Sequence, residues 1–226
     1  MDIIQAIKER HSVRTYLDRP MDAGTIAALQ SVIRECNSES GLNIQLVTEE
    51  PKAFSSGVLK YGSFSGVRNY IVMAGEKGKE TEEKVGYYGE KIVLFAQTLG
   101  LNTCWVGLTF KVIPGVFELE PGEGVHCVIA VGYGFNPGKQ HPLKPIENFI
   151  DFESETSEWF LQGMEAVILA PTAMNQQKFL FCLSDKNKVK VKTTFSLAGS
   201  KYLNIDKGIV KYHFEVGAGK ENFEWE

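Results

Sequence analysis

A short polar signature occurs twice in this chain, as Ser40-Gly41-Leu42-Asn43-Ile44-Gln45 and as Thr172-Ala173-Met174-Asn175-Gln176-Gln177, each leading into an apolar, strand-like run. A hydroxyl and two amides recur at the same spacing, with residue 172 standing where residue 40 stood, an offset of 132. The run from Gly89 to Gly100 likewise reads like the run from Asp206 to Gly217, now at an offset of 117, so the second copy is the shorter. Two copies of helix, polar signature, strands and helix would give one chain the layout of a homodimer. Any site that two subunits would share then falls between two halves, expected at residues 1–150 and 151–226.

Alternating elements fit this plan. Ile3, Ile4 and Ile7 lie on one side of a short opening helix that runs out near Arg10. Asp22 is a good cap for a second helix, in which Ile26, Leu29, Val32 and Ile33 repeat at helical spacing. Strand-like runs follow at Ile44 to Val47, Tyr70 to Ala74 and Cys127 to Val131, with a long helix from Lys79 to Gly100 between the last two. The second half predicts a helix from Glu155 to Leu169, strands at Phe179 to Leu183 and Val189 to Thr194, and a helix from Ala198 to Val216. Pro137, Pro142 and Pro145 make Asn136 to Asn148 an extended crossing segment. The fold class expected is α+β.

Composition narrows the function. With 43% hydrophobic residues among 226, a sizeable core can form without staples. A net charge of −4 argues against general affinity for nucleic acid or an anionic membrane. No apolar run approaches the roughly 18 residues of a membrane span, and Met1 to Gln5 lacks the order of a signal peptide, so a soluble, cytoplasmic protein is expected. Cys36, Cys104, Cys127 and Cys182 are widely spaced with no CxxC, which reads as packed thiols rather than a metal site or nucleophile.

Three constellations carry chemistry. In an extended Arg10-His11-Ser12-Val13-Arg14, residues Arg10, Ser12 and Arg14 project to one side, two guanidinium forks and a hydroxyl suited to a phosphate. A solvated basic loop would carry the same residues. In Leu99 to Gly107, Gly100 can end the long helix, Trp105 can line a cavity, and Gly107 lets a backbone approach a flat ligand. Ordinary packing explains these equally. Pro171 stops a helix before the polar turn Thr172 to Gln177, whose short side chains can bond a heteroaromatic edge or simply their own backbone.

Taken together, these segments resemble the nitroreductase family of flavoproteins over most of the chain. The family signatures are Arg-x-Ser-x-Arg near the N-terminus, Pro-Ser-x-x-Asn-x-Gln after a helix, and Gly-Leu-x-Thr-x-Trp-x-Gly after the central helix. Here the first and third lie in the first half, while the better copy of the second, Pro171 to Gln177, lies in the second half. The resemblance therefore implies one FMN site per chain, assembled from both halves, in a nitroreductase-like fold of two pseudo-symmetric α/β halves that can act as a monomer. It implies FMN contacts from Arg10, His11, Ser12, Arg14, Trp105, Val106, Gly107, Lys144, Pro171, Thr172, Asn175 and Gln177. Lys144 is chosen over Lys139 and His141 as the late phosphate cation, and Phe64 and Tyr133 are further candidates for the acceptor pocket wall. For His11, plain surface exposure stands beside the flavin role, and His126 and His213 read as structural.

The activity implied is passage of a hydride from NAD(P)H through the flavin to a nitroaromatic, quinone or similar electron-poor acceptor. The flavin carries the chemistry, so no catalytic side chain and no metal is implied. A flavin-binding protein with little turnover, or a dehalogenase or flavin-breakdown enzyme on the same fold, remains the alternative.

Overall fold

Two aspartates set the first two helices. Asp2 accepts the backbone N–H of Gln5 at 2.8 Å and Asp22 that of Thr25 at 2.9 Å, each satisfying a donor that the first helical turn leaves free. The computed structural model describes residues 1–55, 64–151, 156–184, 187–194 and 200–226. In chain order its main elements are α1 (Ile3–Glu9), α2 (Ala23–Ser40), β1 (Asn43–Val47), β2 (Asn69–Glu76), α3 (Lys79–Thr98), β3 (Asn102–Val106), β4 (Glu123–Gly132), α4 (Glu158–Val167), β5 (Phe179–Ser184), β6 (Lys188–Thr193), α5 (Leu203–Ala218) and β7 (Glu224–Trp225).

The first four strands form an antiparallel sheet in the order β1-β2-β4-β3. β2 is covered on both faces. Ile71 and Met73 point into the core shared with the helices, and Tyr70, Val72 and Ala74 point into a second cluster with Val13, Val106 and Val128. The remaining strands form a sheet β5-β6-β7, in which β6 and β7 run parallel. Its inner face packs aromatic rings against α5, with Phe181 stacked on Phe214 at 4.9 Å.

The expected elements are present, and the sequence expectation missed two short strands. β3 lies inside the segment read only as a glycine-rich run after the central helix, and β7 was not anticipated. Each is brief, and each is fixed by a neighbouring strand rather than by its own periodicity. Gly100 does end α3 in the left-handed region, at φ 77°. The helix starts expected at Glu155 and Ala198 lie outside the described residues. The crossing segment forms no regular structure until a 3-10 turn at Ile146–Phe149, after which Asp151 N–H bonds the Phe181 carbonyl at 2.9 Å and delivers the chain to β5.

α3 and α5 cross at two glycines. A Cβ on Gly86 would stand 1.9 Å from the Ile205 carbonyl oxygen, and one on Gly208 would stand 2.0 Å from that of Glu83. The two contacts are reciprocal, since residue 86 meets 205 and 209 while residue 208 meets 83 and 87. The symmetric offset at the crossing is thus 122, from 86 to 208, not the 117 at which the two helix sequences read alike. Backbone, not a movable side chain, blocks any larger residue. Gly208→Ala should lower stability by about 1–3 kcal/mol, as overpacking does, read in a thermal melt as a fall of roughly 2–4 °C per kcal/mol. A melt matching the parent protein would mean that the helices are not in contact there.

Candidate functional site

The loop after α1 is laid along the open edge of β3. Val13 N–H donates to the Thr103 carbonyl at 3.0 Å, which puts Val13 in the core, 1% exposed, and turns Ser12 and its neighbours toward a cleft. One chamber of this cleft, about 470 Å³, has walls from Arg10, His11, Ser12, Arg14, Asn136, Lys139, His141, Thr172 and Asn175, among others. A second, about 300 Å³, is walled by Trp105, Val106, Gly107, Leu108, Tyr202 and Asp206, with Ile205, Ile209 and others. Ser12, Arg14, Pro171, Thr172 and Met174 line both, so the two chambers form one bent cleft. The first is polar and basic, the second largely apolar and flat-walled.

Arg10 is buried to 4% exposure. Its described charge partner is Glu90, 3.7 Å from Nε, and that Nε has no hydrogen-bond partner. Burial pulls its pKa down, with Glu90 and Cys104 acting the other way. Burial first, and then the Arg10 charge, pushes His11 below the usual imidazole value. His141 is lowered mainly by burial, and its Nε2 lies 2.9 Å from the Ile168 carbonyl, so that nitrogen carries the proton. Arg14 is exposed and makes no ion pair among the described residues. The basic chamber thus holds guanidinium charge that the protein itself leaves largely unmatched.

The apolar chamber is braced from behind. Trp105 Nε1–H donates to Glu90 Oε2 at 2.9 Å, and its ring sits where a Cβ on Gly89 would come within 2.3 Å. Gly107 is approached, but by protein: a Cβ there would meet the Tyr202 ring at 2.4 Å. Across the cleft, the turn from Thr172 bends through Met174, Asn175 and Gln177 at φ 53°, 52° and 53°, a left-handed conformation that is strained for such residues. Among the bonds that hold it are Asn175 N–H to the Thr172 carbonyl at 2.9 Å, Gln177 N–H to Thr172 Oγ1 at 3.1 Å, and Ala173 N–H to Asp206 Oδ1 at 2.9 Å. The first copy of this signature folds otherwise. Asn43 opens β1, and its amide donates to the Glu118 carbonyl at 3.1 Å and to Glu123 Oε2 at 2.7 Å.

Of the twelve residues expected to hold the cofactor, ten line the cleft: Arg10, His11, Ser12, Arg14, Trp105, Val106, Gly107, Pro171, Thr172 and Asn175. Lys144 instead donates to the Gln176 carbonyl at 3.2 Å, while Lys139 of the same segment lines the basic chamber. Gln177 turns inward, 4% exposed, with Nε2 3.5 Å from the Ile168 carbonyl. Phe64 packs on Phe54 at 5.1 Å, and Tyr133 lies under the Arg19 guanidinium at 3.8 Å; neither lines the cleft. Tyr202 and Asp206 went unforeseen because they stand immediately before α5 and in its first turn, far from every site signature. In the helix expected from Ala198 to Val216, Asp206 was one carboxylate among polar residues, which also fits a surface position.

Asp206 makes no ion pair among the described residues. Burial pushes it up to about 7, opposed only by the Ala173 bond. Between the ordinary value of 3.8 and about 7 the folded chain therefore holds one proton more than the unfolded chain, and stability falls as pH rises across that window. Asp206→Asn keeps an oxygen for Ala173 and should flatten the stability profile there. Denaturant melts from pH 4 to pH 8 make the comparison, and equal slopes for the two proteins would refute the raised pKa.

Comparison with known proteins defines the class. A family model described as "Putative TM nitroreductase" matches residues 2–218, and the chain belongs to that nitroreductase family. A solved nitroreductase structure from Thermotoga maritima has a TM-score of 0.66 at 23% identity, covering 98% of this chain and 85% of that one. Another, from Desulfovibrio desulfuricans and solved in complex with FMN, has a TM-score of 0.53 at 17% identity over 70% of this chain and 98% of that one. At these identities the likeness concerns the fold. No curated protein sequence matches the chain.

Proposed function

We propose that this chain is an FMN-dependent oxidoreductase that takes a hydride from NAD(P)H and passes it to a small electron-poor acceptor such as a nitroaromatic or quinone. The observation that carries the reading is the two-chambered cleft, with Arg10 and Lys139 in the basic chamber, Trp105 in the apolar one, and Ser12 and Arg14 lining both. The residues fit the cofactor. Arg10 has Glu90 at 3.7 Å but no hydrogen bond at its buried Nε, and Arg14 makes no ion pair among the described residues, so a phosphate would find a net positive pair of guanidinium groups here. FMN, when bound, supplies the two-electron chemistry itself.

The protein's part is then binding, orientation and exclusion of water. Arg10, Ser12 and Arg14 hold the phosphate, with Lys139 in reach of the same chamber and preferred to Lys144 as the late cation. Trp105 to Gly107 form one wall for the ring system and the Thr172 to Asn175 turn the opposite one. One half, residues 1–150, gives the phosphate groups and first wall; the other, residues 151–226, gives the turn. In this reading the halves descend from a duplication, the chain needs no second copy to complete the site, and one FMN binds per chain.

Purified protein should be yellow, carry one FMN per chain by absorbance of the released flavin, and bleach on addition of NADH or NADPH. A colourless protein that does not take up added FMN would overturn the proposal. Arg14→Ala should weaken FMN binding by about 1.5–3 kcal/mol, the size of a charge-assisted hydrogen bond, or roughly 10- to 150-fold. Riboflavin, lacking the phosphate, should be hardly affected, and equal losses for both flavins would remove the phosphate assignment. Asn175→Ala should lower flavin affinity by a hydrogen bond's worth, about 0.5–1.5 kcal/mol, whereas Asn43→Ala should not. Equal effects at the two asparagines would show the asymmetry between the halves to be misread.

A further inference from the structure

Beneath the bend of the cleft four elements bring together a buried cluster in which Arg10 and Trp105 of the sequence signatures meet Glu90 and His213, which no signature marks. Glu90 on α3 and His213 on α5 are each 0% exposed, and Arg10 at the end of α1 is 4% exposed. Glu90 is the hub. Its Oε2 accepts the Trp105 indole N–H at 2.9 Å, while its Oε1 lies 2.9 Å from His213 Nε2 and 3.7 Å from Arg10 Nε. His213 Nδ1 lies 2.9 Å from the Ala166 carbonyl, which can only accept, so Nδ1 carries a proton. The contact between Nε2 and Oε1 then needs a second proton, and the pair shares it. With one oxygen facing His213 and Arg10 and the other accepting from Trp105, the carboxyl group of Glu90 is held in a single orientation.

The two remaining partners of Glu90 are the groups that define opposite ends of the cleft. Arg10 lines the basic chamber, and Trp105 lines the apolar one. We propose that Glu90, locked by His213, is the positioning residue of the flavin site, setting Arg10 for the phosphate and Trp105 for the ring through its two oxygens. Glu90 and His213 line neither chamber, so they act only through those two residues. The proposal rests on the flavin reading above and adds to it a division of labour within one carboxylate.

Glu90→Gln separates the two arms. The amide oxygen still accepts the Trp105 indole and the amide nitrogen can donate to His213, but the charge that fixes Arg10 is gone. Riboflavin affinity should stay within about twofold of the parent, and FMN affinity should drop about tenfold, so the preference for FMN over riboflavin collapses. Trp105→Phe removes the other arm and should weaken both flavins by one factor, leaving that preference intact. A Glu90→Gln protein with unchanged or increased FMN preference, or a Trp105→Phe protein that alters it, overturns the assignment. Retained riboflavin binding reports that each variant is folded. Should Glu90→Gln fail to fold, His213→Gln, which frees Glu90 to rotate without removing its charge, should lower the FMN preference in the same direction, and an unchanged preference there also overturns the assignment. If the parent protein binds neither flavin, the flavin reading itself falls, an outcome distinct from parent-like preferences in all variants.

Discussion

The close crossing of α3 and α5 is the constraint on which the rest depends. With carbonyl oxygens of Ile205 and Glu83 within about 2 Å of where side chains would begin on Gly86 and Gly208, the helices meet backbone to backbone. That approach brings α5, which follows the second sheet, against the helix that backs the first. Tyr202, Ile205, Asp206 and Ile209 thereby reach a cleft whose other wall is β3. His213, two turns further along α5, reaches Glu90 for the same reason. The cleft is therefore a product of helix packing and not of either sheet alone.

Charge is unevenly spread around that cleft. Surface pairs such as Lys84 with Glu80, at 3.2 Å, contribute little because water competes for both partners. The buried groups behave differently: Arg10 has one carboxylate at 3.7 Å, and Asp206 makes no ion pair among the described residues, so each resists carrying its charge. A folded chain accepts such groups where a ligand or a hydrogen-bond network compensates them. The left-handed turn at Met174 and Asn175 is a further strained feature on the same cleft, and all of these stand within one stretch of surface. Strain, buried charge and an open chamber coincide at this cleft.

Much of the fold was legible because its longer elements have strong local causes. Asp22 both caps α2 and stands ahead of its apolar repeat, and β2 alternates between two hydrophobic clusters with the period of a strand. The site signatures at Arg10 to Arg14, Trp105 to Gly107 and Pro171 to Asn175 were legible for a related reason: their chemistry is carried by contiguous residues. That Lys139 and not Lys144 lines the basic chamber was not legible, because an irregular proline-rich segment has no period from which side-chain direction can be read. The duplicated signature misled in part, since Asn43 and Asn175 share a spacing but sit in a strand and a left-handed turn.

By itself the sequence determined the helices and main strands, the family, and most of the residues singled out that line the cleft, since each follows from neighbours within a few positions along the chain. Only the tertiary structure decided that Glu90 joins Arg10 to Trp105, that Asp206 holds the Thr172 turn, and that Tyr202 lies on Gly107. These pairs are brought together by where two helices cross, and the crossing is fixed by glycines whose role, the absence of a side chain, leaves no chemical mark in the sequence.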